Sequence, residues 1–477
     1  MSHKTDEAKR ISRRRFLAGL AVTGGSAVVA ACVPAAPQAP AAPQIVKETV
    51  VVEGAPVEVT KVVEVPVEKV ITATPPPKER VKIVATSQMP ITTWNKSLER
   101  AKERLPDIDL TVTATAIDTW SSYADLVITQ IAGGDQLDVI MIAVEGIPLL
   151  GMKKILKPLE AVIQGDPEAE AIIADTHPLL LSMLQWQGKQ LELPFSWNNM
   201  VMYYNTKMYQ DKGMDPPADN WTWEDFLADC KQLASVKGTG DDIYAYSFWG
   251  AGMFGMCAWY FLNDTSPLTD DWMDSNMLDP KVAETLQFLA DLILVHKVSP
   301  NPTGWDEWGN FDSGHLAMRT CGRWCIGGSM AANFTDYDIQ YQPYKSGKLR
   351  TVAGTDGWGI ATMSRLPDEA WRVVKLLSGK DASLDMVTLG GNIPTLRSVA
   401  EMPVFTEYGP KNTAIFYKSL DAAKTVVSPA NFNIIEPLLI RHYATIWNGE
   451  KTVEEAVNAA HIELQAEMDE LKKDMGL

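Results

Sequence analysis

The feature that most limits how this chain can fold is an alternation of short apolar runs with amphipathic helical patterns. Strand-like runs at 81–85, 110–113 and 137–142 are separated by helix-like segments at 92–104 and 123–132. Strands that alternate with helices are typical of βαβ units, in which neighbouring strands run parallel. The alternation therefore predicts an α/β fold built on a mainly parallel sheet.

Three later segments have the spacing of helices that bury one face. Apolar residues recur near helical spacing over 279–297 and 369–378, which predicts amphipathic core helices. A C-terminal helix begins near Thr452, where Thr452 and Glu455 have the spacing of a capping box. We expect the charged residues of this last helix to face solvent.

The start of the chain has the features of an export signal. Three arginines at 13–15 precede a short run of small and apolar residues that ends at Cys32. Such a start is typical of a secretory signal, and the run is too short for a membrane span. Residues 12–17 resemble a twin-arginine signal, and 29–32 resemble a lipoprotein cleavage site. We therefore expect 1–32 to be a signal, with lipid on Cys32 anchoring an exported protein to the outer face of the cytoplasmic membrane.

Residues 33–79 differ in composition from the rest of the chain. They are rich in proline, valine and glutamate. Because proline fixes φ and lacks an N–H donor, such a segment is predicted to be a disordered tether between the anchor and the body. The alternation of valine and glutamate leaves a second interpretation open, in which part of the segment pairs as an edge strand on the body or on a partner.

Charge, cysteine and histidine content exclude several classes of function. The chain has a net charge of −17, so it repels phosphate groups and no nucleic-acid partner is expected. Four cysteines follow the predicted lipidation site, and their spacing favours buried thiols or one disulfide over a metal site. They are Cys230, Cys257, Cys321 and Cys325. The six histidines form no close ligand pair in the sequence, so we expect no metal and no cofactor.

An ordered series of motifs over the body, from Val81 to the C-terminus, is similar to one known family. The order carries the resemblance, because no single motif in the series is specific. The matching segments are GDQLDVI (134–140), GKQLELPF (188–195), YYN (203–205), WTWEDF (221–226), FDSGHLAM (311–318), GRW (322–324), DGWGI (356–360), EAW (369–371) and GEKTVEEA (449–456). Leu137 departs from the family pattern, which usually has proline there. The series resembles the extracellular solute-binding proteins of ABC importers, in the sugar-binding branch that includes maltose-binding protein.

The resemblance implies a periplasmic-binding-protein-like fold, with two α/β lobes, a ligand cleft between them and several hinge crossings. We place lobe 1 at 80–194 plus 345–393, and lobe 2 at 195–344 plus 394–477. The crossings are expected near Pro194, near Pro343 and at 391–394. A ligand that contacts both lobes would favour a closed state, which the transmembrane subunits of an ABC permease would recognise. A monomer is expected.

Tryptophan is unusually frequent, with 15 in the chain, and it supplies the first ligand candidates. Sugars present C–H faces that stack on aromatic rings, and hydroxyls that bind carboxylates and amides. Tryptophans in loops or beside irregular segments are therefore candidate ligand contacts: Trp94, Trp197, Trp249, Trp259, Trp324 and Trp358. The resemblance places Trp324 and Trp358 at the cleft. The alternative for each is packing in a core.

Polar candidates follow predicted strands or lie near the predicted crossings. Gln88 and Glu145 follow strands, whose carboxyl ends face the crevice in open α/β sheets. The others lie near the crossings: Asn198, Asn199, Asp356 and Asn392. Capping of a turn is their alternative role. Arg323 is expected to pair with a carboxylate or to neutralise an anionic ligand such as a sugar phosphate.

These observations predict an extracytoplasmic lipoprotein that captures a mono- or oligosaccharide for an ABC transporter and is not an enzyme. Glycerol phosphates, polyols and other polar solutes remain alternative ligands. Two other functions stay open. An exported glycoside hydrolase needs two carboxyl groups about 5–10 Å apart, and a tethered surface protein needs no ligand at all.

Overall fold

The computed structural model describes residues 80–477 except 116, 118, 239–241 and 251, together with the backbone of two strands nearer the N-terminus. The chain divides into two compact units after residue 76, and each is described by itself. The predicted signal 1–32 and the lipidation of Cys32 lie outside the described residues and stay predictions.

The N-terminal unit contains an antiparallel pair of strands, β1 (Val46–Val52) and β2 (Ala55–Lys61). For these residues the structure differs from the disordered tether expected over 33–79. The strands are rich in valine, whose branched side chain favours extended backbone. Pro56 is tolerated because a two-stranded ribbon consists only of edges. The rest of 33–79 lies outside the described residues.

The strands of the body alternate with helices along most of its length. In chain order they are β3 (Val81–Ser87), β4 (Ile108–Ala114), β5 (Val139–Ala143), β6 (Gln185–Trp186), β7 (Lys189–Gln190), β8 (Leu193–Asn199), β9 (Val201–Asn205), β10 (Tyr244–Ser247), β11 (Leu316–Cys321), β12 (Tyr337–Gln340), β13 (Thr351–Ile360), β14 (Ile393–Pro394) and β15 (Ala423–Thr425). Apart from the short pair β6 and β7, they form two sheets.

The larger sheet has the strand order β14–β8–β13–β5–β3–β4, and β15 also pairs with β13. Strand β3 pairs in parallel with β4 and β5, as the βαβ pattern predicts. Strand β13 instead runs antiparallel to β5 and β8. The larger sheet is therefore mixed and not, as predicted, mainly parallel, because β13 is parallel to β15 but antiparallel to β5 and β8. Strand β13 is entered after a long excursion through the second sheet, and such a connection does not impose the parallel direction of a βαβ crossover.

The smaller sheet has the order β10–β11–β9–β12, with β10 and β11 parallel and β9 antiparallel to both of its neighbours. The chain passes between the sheets at Met200, which separates β8 from β9, and again between β12 and β13. The segment 391–394, predicted to cross between lobes, leads into β14, which pairs with β8 in the larger sheet. The lobe boundaries themselves stay a prediction.

The helices of the body cover the sheets and connect their strands. In chain order they are α1 (Asn95–Arg104), α2 (Trp120–Gly133), α3 (Ile147–Met152), α4 (Glu160–Ile163), α5 (Pro167–Ala174), α6 (Pro178–Met183), α7 (Thr206–Asp211), α8 (Trp223–Leu233), α9 (Met253–Leu262), α10 (Pro280–Leu294), α11 (Glu307–Asp312), α12 (Cys325–Ala331), α13 (Pro367–Ser378), α14 (Lys380–Thr388), α15 (Arg397–Ala400), α16 (Pro403–Glu407), α17 (Ala414–Lys418), α18 (Phe432–Trp447) and α19 (Val453–Met475). Single 3₁₀ turns occur at Ile91–Trp94, Val144–Gly146 and Ser419–Ala422.

The helices predicted from periodicity are confirmed as α1, α2, α10, α13 and α19. Helix α2 ends at Gly134, whose φ of 86° lies in the left-handed region that glycine adopts without strain. No helix in the described part of the chain combines the length and the apolar character that a membrane span requires.

The C-terminal helix begins with the predicted capping box. The Thr452 hydroxyl accepts from the Glu455 backbone N–H at 3.2 Å, and the Glu455 carboxylate accepts from the Thr452 backbone N–H at 2.9 Å. We expect Thr452→Ala to lower the free energy of unfolding by about 1 kcal/mol, because one N–H at the helix start loses its acceptor. Denaturant unfolding measures this change. Thr452→Ser, which keeps the hydroxyl, is the control, and equal stability of the Ala and Ser variants would contradict the capping role.

The four cysteines among the described residues form one disulfide and two buried thiols, both of which the sequence analysis favoured over a metal site. Cys321 and Cys325 are bonded to each other, whereas Cys230 and Cys257 are buried and free. The disulfide closes the short loop between β11 and α12, and this loop carries Trp324.

Candidate functional site

A cavity of about 480 Å³ collects most of the residues predicted to bind a ligand. Its volume is in the range of small-molecule sites, which span about 300–1,000 Å³. Seven of the predicted residues line it: Gln88, Glu145, Asn198, Trp249, Trp324, Asp356 and Asn392.

Strand ends from both sheets explain why these residues meet. Gln88 and Glu145 follow the parallel strands β3 and β5, whose carboxyl ends lie at one edge of the larger sheet. Trp249 and Trp324 follow β10 and β11, which are parallel neighbours in the smaller sheet. The cavity therefore has one wall from each sheet.

Asp356 is held on the sheet itself. It lies opposite Ala143 of β5 and Ser196 of β8. The Ser196 hydroxyl lies 2.8 Å from each Asp356 carboxylate oxygen, and the Asn392 side-chain amide donates to the Ser196 oxygen at 2.9 Å. Burial raises the pKa of Asp356 to about 7, against the opposing effect of these hydrogen bonds. The chain thus orients a carboxyl that is only partly ionised near neutral pH.

Glu145 is the carboxyl in the cavity that has one oxygen without a hydrogen-bond partner among the described residues. It lies in the 3₁₀ turn after β5 and is 6% exposed. Burial raises its pKa to about 8, and the neighbouring carboxyls of Glu436 and Asp356 add to the rise. Its Oε2 atom is buried without a hydrogen-bond partner in the described structure. A buried acceptor of this kind gains strongly from a ligand that brings a donor.

Glu436 is a third carboxyl in the cavity, and the sequence analysis missed it. It lies on α18, is 6% exposed, and accepts hydrogen bonds from the Ser121 hydroxyl and, at 3.0 Å, from the Met253 backbone N–H. Burial raises its pKa above the ordinary value. These bonds connect the starts of α2 and α9 to α18, so Glu436 holds three segments of the cavity wall together.

Aromatic rings line much of the remaining surface. The rings of Trp249 and Trp324 lie 6.3 Å apart, centroid to centroid, and Phe254 lies 6.0 Å from Trp324. Trp308, on α11, is 40% exposed and packs over the guanidinium of Arg319, 5.4 Å from its ring centroid. Such rings offer flat apolar faces to a ligand that is polar at its edges.

The disulfide loop holds Trp324 in the wall. A Cβ atom at Gly322 would lie 2.0 Å from the Trp324 ring, so the ring packs directly on the glycine backbone. The disulfide between Cys321 and Cys325 limits how far this loop can move. Both contacts fix the ring before any ligand arrives.

Four of the predicted tryptophans do not line the cavity, and we remove them from the predicted site. Trp94, in the 3₁₀ turn at Ile91–Trp94, and Trp358, on β13, pack against each other with ring centroids 4.9 Å apart. Trp197 packs on Tyr417, and Trp259 donates its indole N–H to Tyr246 inside the smaller-sheet core. All four are at most 1% exposed, and the apolar surface that each ring buries favours the core position.

Arg323 has neither of the roles expected for it. It is fully buried, and its guanidinium donates to the backbone carbonyls of Gly391 (2.6 Å), Asn392, Val387 and Tyr408. It therefore supports the segment that carries Asn392 into the cavity. Its backbone N–H donates to the Asn198 side chain at 3.2 Å. Asn199, the neighbouring candidate, donates to Phe416 and Ser419 and does not line the cavity.

Other lining residues were also missed. All of them lie outside the matched motifs, although Gly391 is within the predicted crossing 391–394: Met89, Pro90, Thr93, Ile117, Thr119, Trp120, Ala143, Phe254, Trp308, Gly354, Thr355, Met386, Gly391 and Phe432. Trp120 is the first residue of α2, the helix that the sequence predicted over 123–132. Its position at the start of a helix was the one sequence signal that could have marked it as a residue of the crevice.

A second cavity, of about 670 Å³, lies along α1 and β4 and contains none of the predicted residues. Several of its charged residues form ion pairs, as Lys102 does with Glu99 at 2.8 Å and Arg80 with Asp109 at 4.0 Å. These side chains are exposed, so the groove offers neither buried polar groups nor an aromatic wall. We regard the smaller cavity as the functional site.

The chain matches the model of a family described as bacterial extracellular solute-binding protein over residues 99–413. The arabinooligosaccharide-binding protein of Halalkalibacterium halodurans is 23% identical to it over 408 residues, which cover 80% of this chain and 86% of that protein. Two solved structures extend the likeness to three dimensions.

One is an ABC substrate-binding protein from Listeria monocytogenes in complex with cycloalternan. It superimposes with a TM-score of 0.75 at 21% identity, covering 84% of this chain and 100% of that one. The other is a solute-binding protein of an ABC transporter from Thermotoga lettingae, bound with α-D-tagatose. Its TM-score is 0.72 at 21% identity, with 82% of this chain and 100% of that one covered. These superpositions confirm the predicted fold class.

Proposed function

The chain belongs to the bacterial extracellular solute-binding proteins, and from this membership we propose that its cavity binds a mono- or oligosaccharide. The loaded protein then delivers the sugar to the membrane permease of an ABC importer. The observation that carries the sugar assignment is the combination of aromatic rings with buried carboxyl and amide groups in one cavity of about 480 Å³.

Each part of the cavity suits a feature of a sugar. The rings of Trp249, Trp308 and Trp324 offer faces to the C–H surfaces of a pyranose or furanose. Glu145 and Asp356 accept hydrogen bonds from hydroxyls, and the amide of Asn392 can also donate. Relatives named or solved with arabino-oligosaccharide, cycloalternan and tagatose support the same ligand class.

Anionic solutes fit this cavity poorly. No lysine, arginine or histidine is among its lining residues in the described part of the chain. Arg323, the expected partner of a sugar phosphate, is engaged by backbone carbonyls. Sugar phosphates and glycerol phosphates are therefore disfavoured, because the cavity offers no cationic side chain to pair with a buried phosphate.

The walls explain how binding can be signalled to a permease. One wall follows the larger sheet and the other follows the smaller sheet, so a bound sugar contacts both. A ligand that contacts both walls shifts the population towards a closed state. The proposal also includes export through residues 1–32, a lipid anchor on Cys32 and a tether over 33–79. It places the protein, as a monomer, outside the cytoplasmic membrane.

A thermal-shift panel tests the ligand class. We expect a sugar to give the largest rise in melting temperature among sugars, sugar phosphates, polyols, amino acids and metal ions, because only a ligand of the native state stabilises it. At a concentration near 100 times the dissociation constant, the stabilisation is about 2.7 kcal/mol. Selective stabilisation by an amino acid or a metal ion would refute the sugar assignment.

Two matched variants locate the site. Trp324→Ala removes a ring from the cavity wall and should weaken sugar binding about 10- to 100-fold in calorimetric titration. Trp305→Ala is the control, because Trp305 is also partly buried but packs on Tyr244 away from the cavity. Equal effects of the two substitutions would contradict this location.

The glycoside hydrolase alternative has one observation in its favour. Three carboxyls share the cavity, and two carboxyls are the machinery of such enzymes. We propose binding without turnover, in keeping with the family. Incubation with oligosaccharides decides between the two, since release of shorter sugars that disappears in Glu145→Gln would identify an enzyme.

A further inference from the structure

We infer that the preferred ligand is a saccharide with a protonated amino group, and that Glu145 is the residue that selects it. The inference rests on the proposed sugar-binding function and narrows its ligand class from sugars in general to basic sugars.

The ionisable side chains that line the cavity in the described structure are all acidic. Glu145, Asp356 and Glu436 all line it, and none of the other lining residues that the structure describes is cationic. Two buried arginines lie close to residues of the cavity wall but do not line it. Arg323 donates to the carbonyl oxygen of Gly391, and Arg319 lies against the Trp308 ring, 3.9 Å from Asp312. Buried carboxyls without a cation are costly, and a ligand that brings the cation offsets that cost.

The three carboxyls are not equally satisfied. Asp356 accepts from Ser196, and Glu436 accepts from Ser121 and Met253. Glu145 Oε2 has no partner among the described residues, although the side chain is buried and lines the cavity. An ammonium group donates three hydrogen bonds and carries the missing charge, whereas a sugar hydroxyl donates one and carries none.

Burial and the neighbouring carboxyls destabilise the charged form of Glu145. Burial first, and then the charges of Glu436 and Asp356, raise the pKa of Glu145 to about 8, so this group holds a proton near neutral pH when the cavity is empty. A cation beside it would reverse that effect and favour the carboxylate. Binding of a protonated amine should therefore release a proton from the protein, and binding of a neutral sugar should not.

The aromatic wall and the spacing of the carboxyls favour an organic cation over a metal ion. The ring planes of Trp249 and Trp324, which both line the cavity, are inclined to each other at 65°, and the faces of aromatic rings attract ammonium groups. No three histidine, cysteine or acidic side chains in the described structure are close enough to share a metal ion. The net charge of −17 also attracts cationic solutes to the protein.

The test compares sugars that differ only in the substituent at C2 of each ring. Cellobiose, N,N′-diacetylchitobiose and the corresponding glucosamine disaccharide share a β-1,4-linked skeleton and carry hydroxyl, acetamide and ammonium groups at C2. Glucose, galactose and mannose with their 2-amino and N-acetyl forms give three monosaccharide series. In titration calorimetry at pH 7 we expect the amine to bind at least tenfold more tightly than both neutral forms in the series that fits. Repeating the titration in buffers of different ionisation enthalpy should detect proton release for the amine alone.

Two variants assign the selectivity to one residue. Glu145→Gln should reduce affinity for the amine at least tenfold more than it reduces affinity for the neutral counterpart, because the glutamine oxygen still accepts from a hydroxyl but carries no charge. Glu192→Gln is the matched control, because Glu192 is buried and accepts from the Ile142 N–H at 3.0 Å but lies outside the cavity. It should leave the preference unchanged.

The outcomes separate this inference from the function on which it rests. Tighter binding of the neutral sugars overturns the inference and leaves the sugar-binding proposal intact. An amine preference that survives in Glu145→Gln also overturns it. Failure of every sugar, or binding of choline in preference to all of them, overturns both.

Discussion

Replacement of Glu145 by glutamine is expected to stabilise the ligand-free protein at pH 8 and to leave its stability nearly unchanged at pH 4. Burial and two neighbouring carboxyls raise the pKa of Glu145 from 4.5 to about 8. Between these values the unfolded chain has released the proton while the folded chain retains it, so the free energy of unfolding falls as pH rises. At about 1.4 kcal/mol per pKa unit, the cost at pH 8 is as much as about 5 kcal/mol. Glutamine removes this cost.

Denaturant unfolding of both proteins between pH 4 and pH 8 measures the effect. Asp356 and Glu436 also have raised pKa values. The free energy of unfolding of the variant should therefore still fall as pH rises, but by less than in the wild type, because the contribution of Glu145 is gone. Glu99→Gln is the control, because that side chain is 71% exposed and its replacement should change stability by less than about 0.5 kcal/mol. Parallel pH profiles for the wild type and Glu145→Gln would contradict the buried state of Glu145.

The polar part of this site was largely predictable because strand ends have fixed geometry. Gln88 and Glu145 follow parallel strands of one sheet, so their place at a shared edge follows from the βαβ pattern alone. Asp356 could be placed near a crossing, but its contact with Ser196 depends on the antiparallel register of β8 and β13. That register is set between segments far apart in the sequence, and no local pattern encodes it.

The tryptophans of the site were predicted less well, because the position of a residue along a strand does not tell whether its side chain reaches the cavity or is buried in the core. Trp358 and Asp356 lie two residues apart on β13, so they share a face of the sheet. Only Asp356 reaches the cavity, while Trp358 packs on Trp94. Trp259 was a different error. Helix α9 is apolar on every side, and a helix of that kind is buried, so its tryptophan could have been assigned to the core from sequence.

Glu436 shows what sequence reasoning could not reach. Its partner Ser121 lies 315 residues away along the chain. It sits on an amphipathic helix near the C-terminus, with no neighbouring motif or strand end to suggest a site. The contact exists only because α18 returns to pack beside α2 at the larger sheet. Among sixty acidic residues, only the fold distinguishes this one.

Replacement of Arg323 by alanine is expected to lower the free energy of unfolding by about 3–5 kcal/mol. The guanidinium is fully buried and donates to four backbone carbonyls, from Val387, Gly391, Asn392 and Tyr408. The variant takes the side-chain donor away from all four oxygens, of which Val387 keeps the Gly390 N–H at 3.1 Å, and it opens a void beside Phe405, whose ring lies 4.8 Å from the guanidinium carbon. Denaturant unfolding measures the loss.

Arg323→Lys separates the geometry of this group from its charge. A single ammonium cannot reach carbonyls spread over residues 387–408, so lysine should recover only part of the lost stability. Arg441→Ala is the control, because its ion pair with Glu463 is exposed and worth less than about 1 kcal/mol. Since Arg323 supports the segment that carries Asn392 into the cavity, Arg323→Lys should also weaken sugar binding at temperatures where it remains folded. Full stability and full affinity in Arg323→Lys would show that a positive charge at this position is sufficient. The hydrogen bonds from the guanidinium to the four carbonyls would then not be needed to position Asn392.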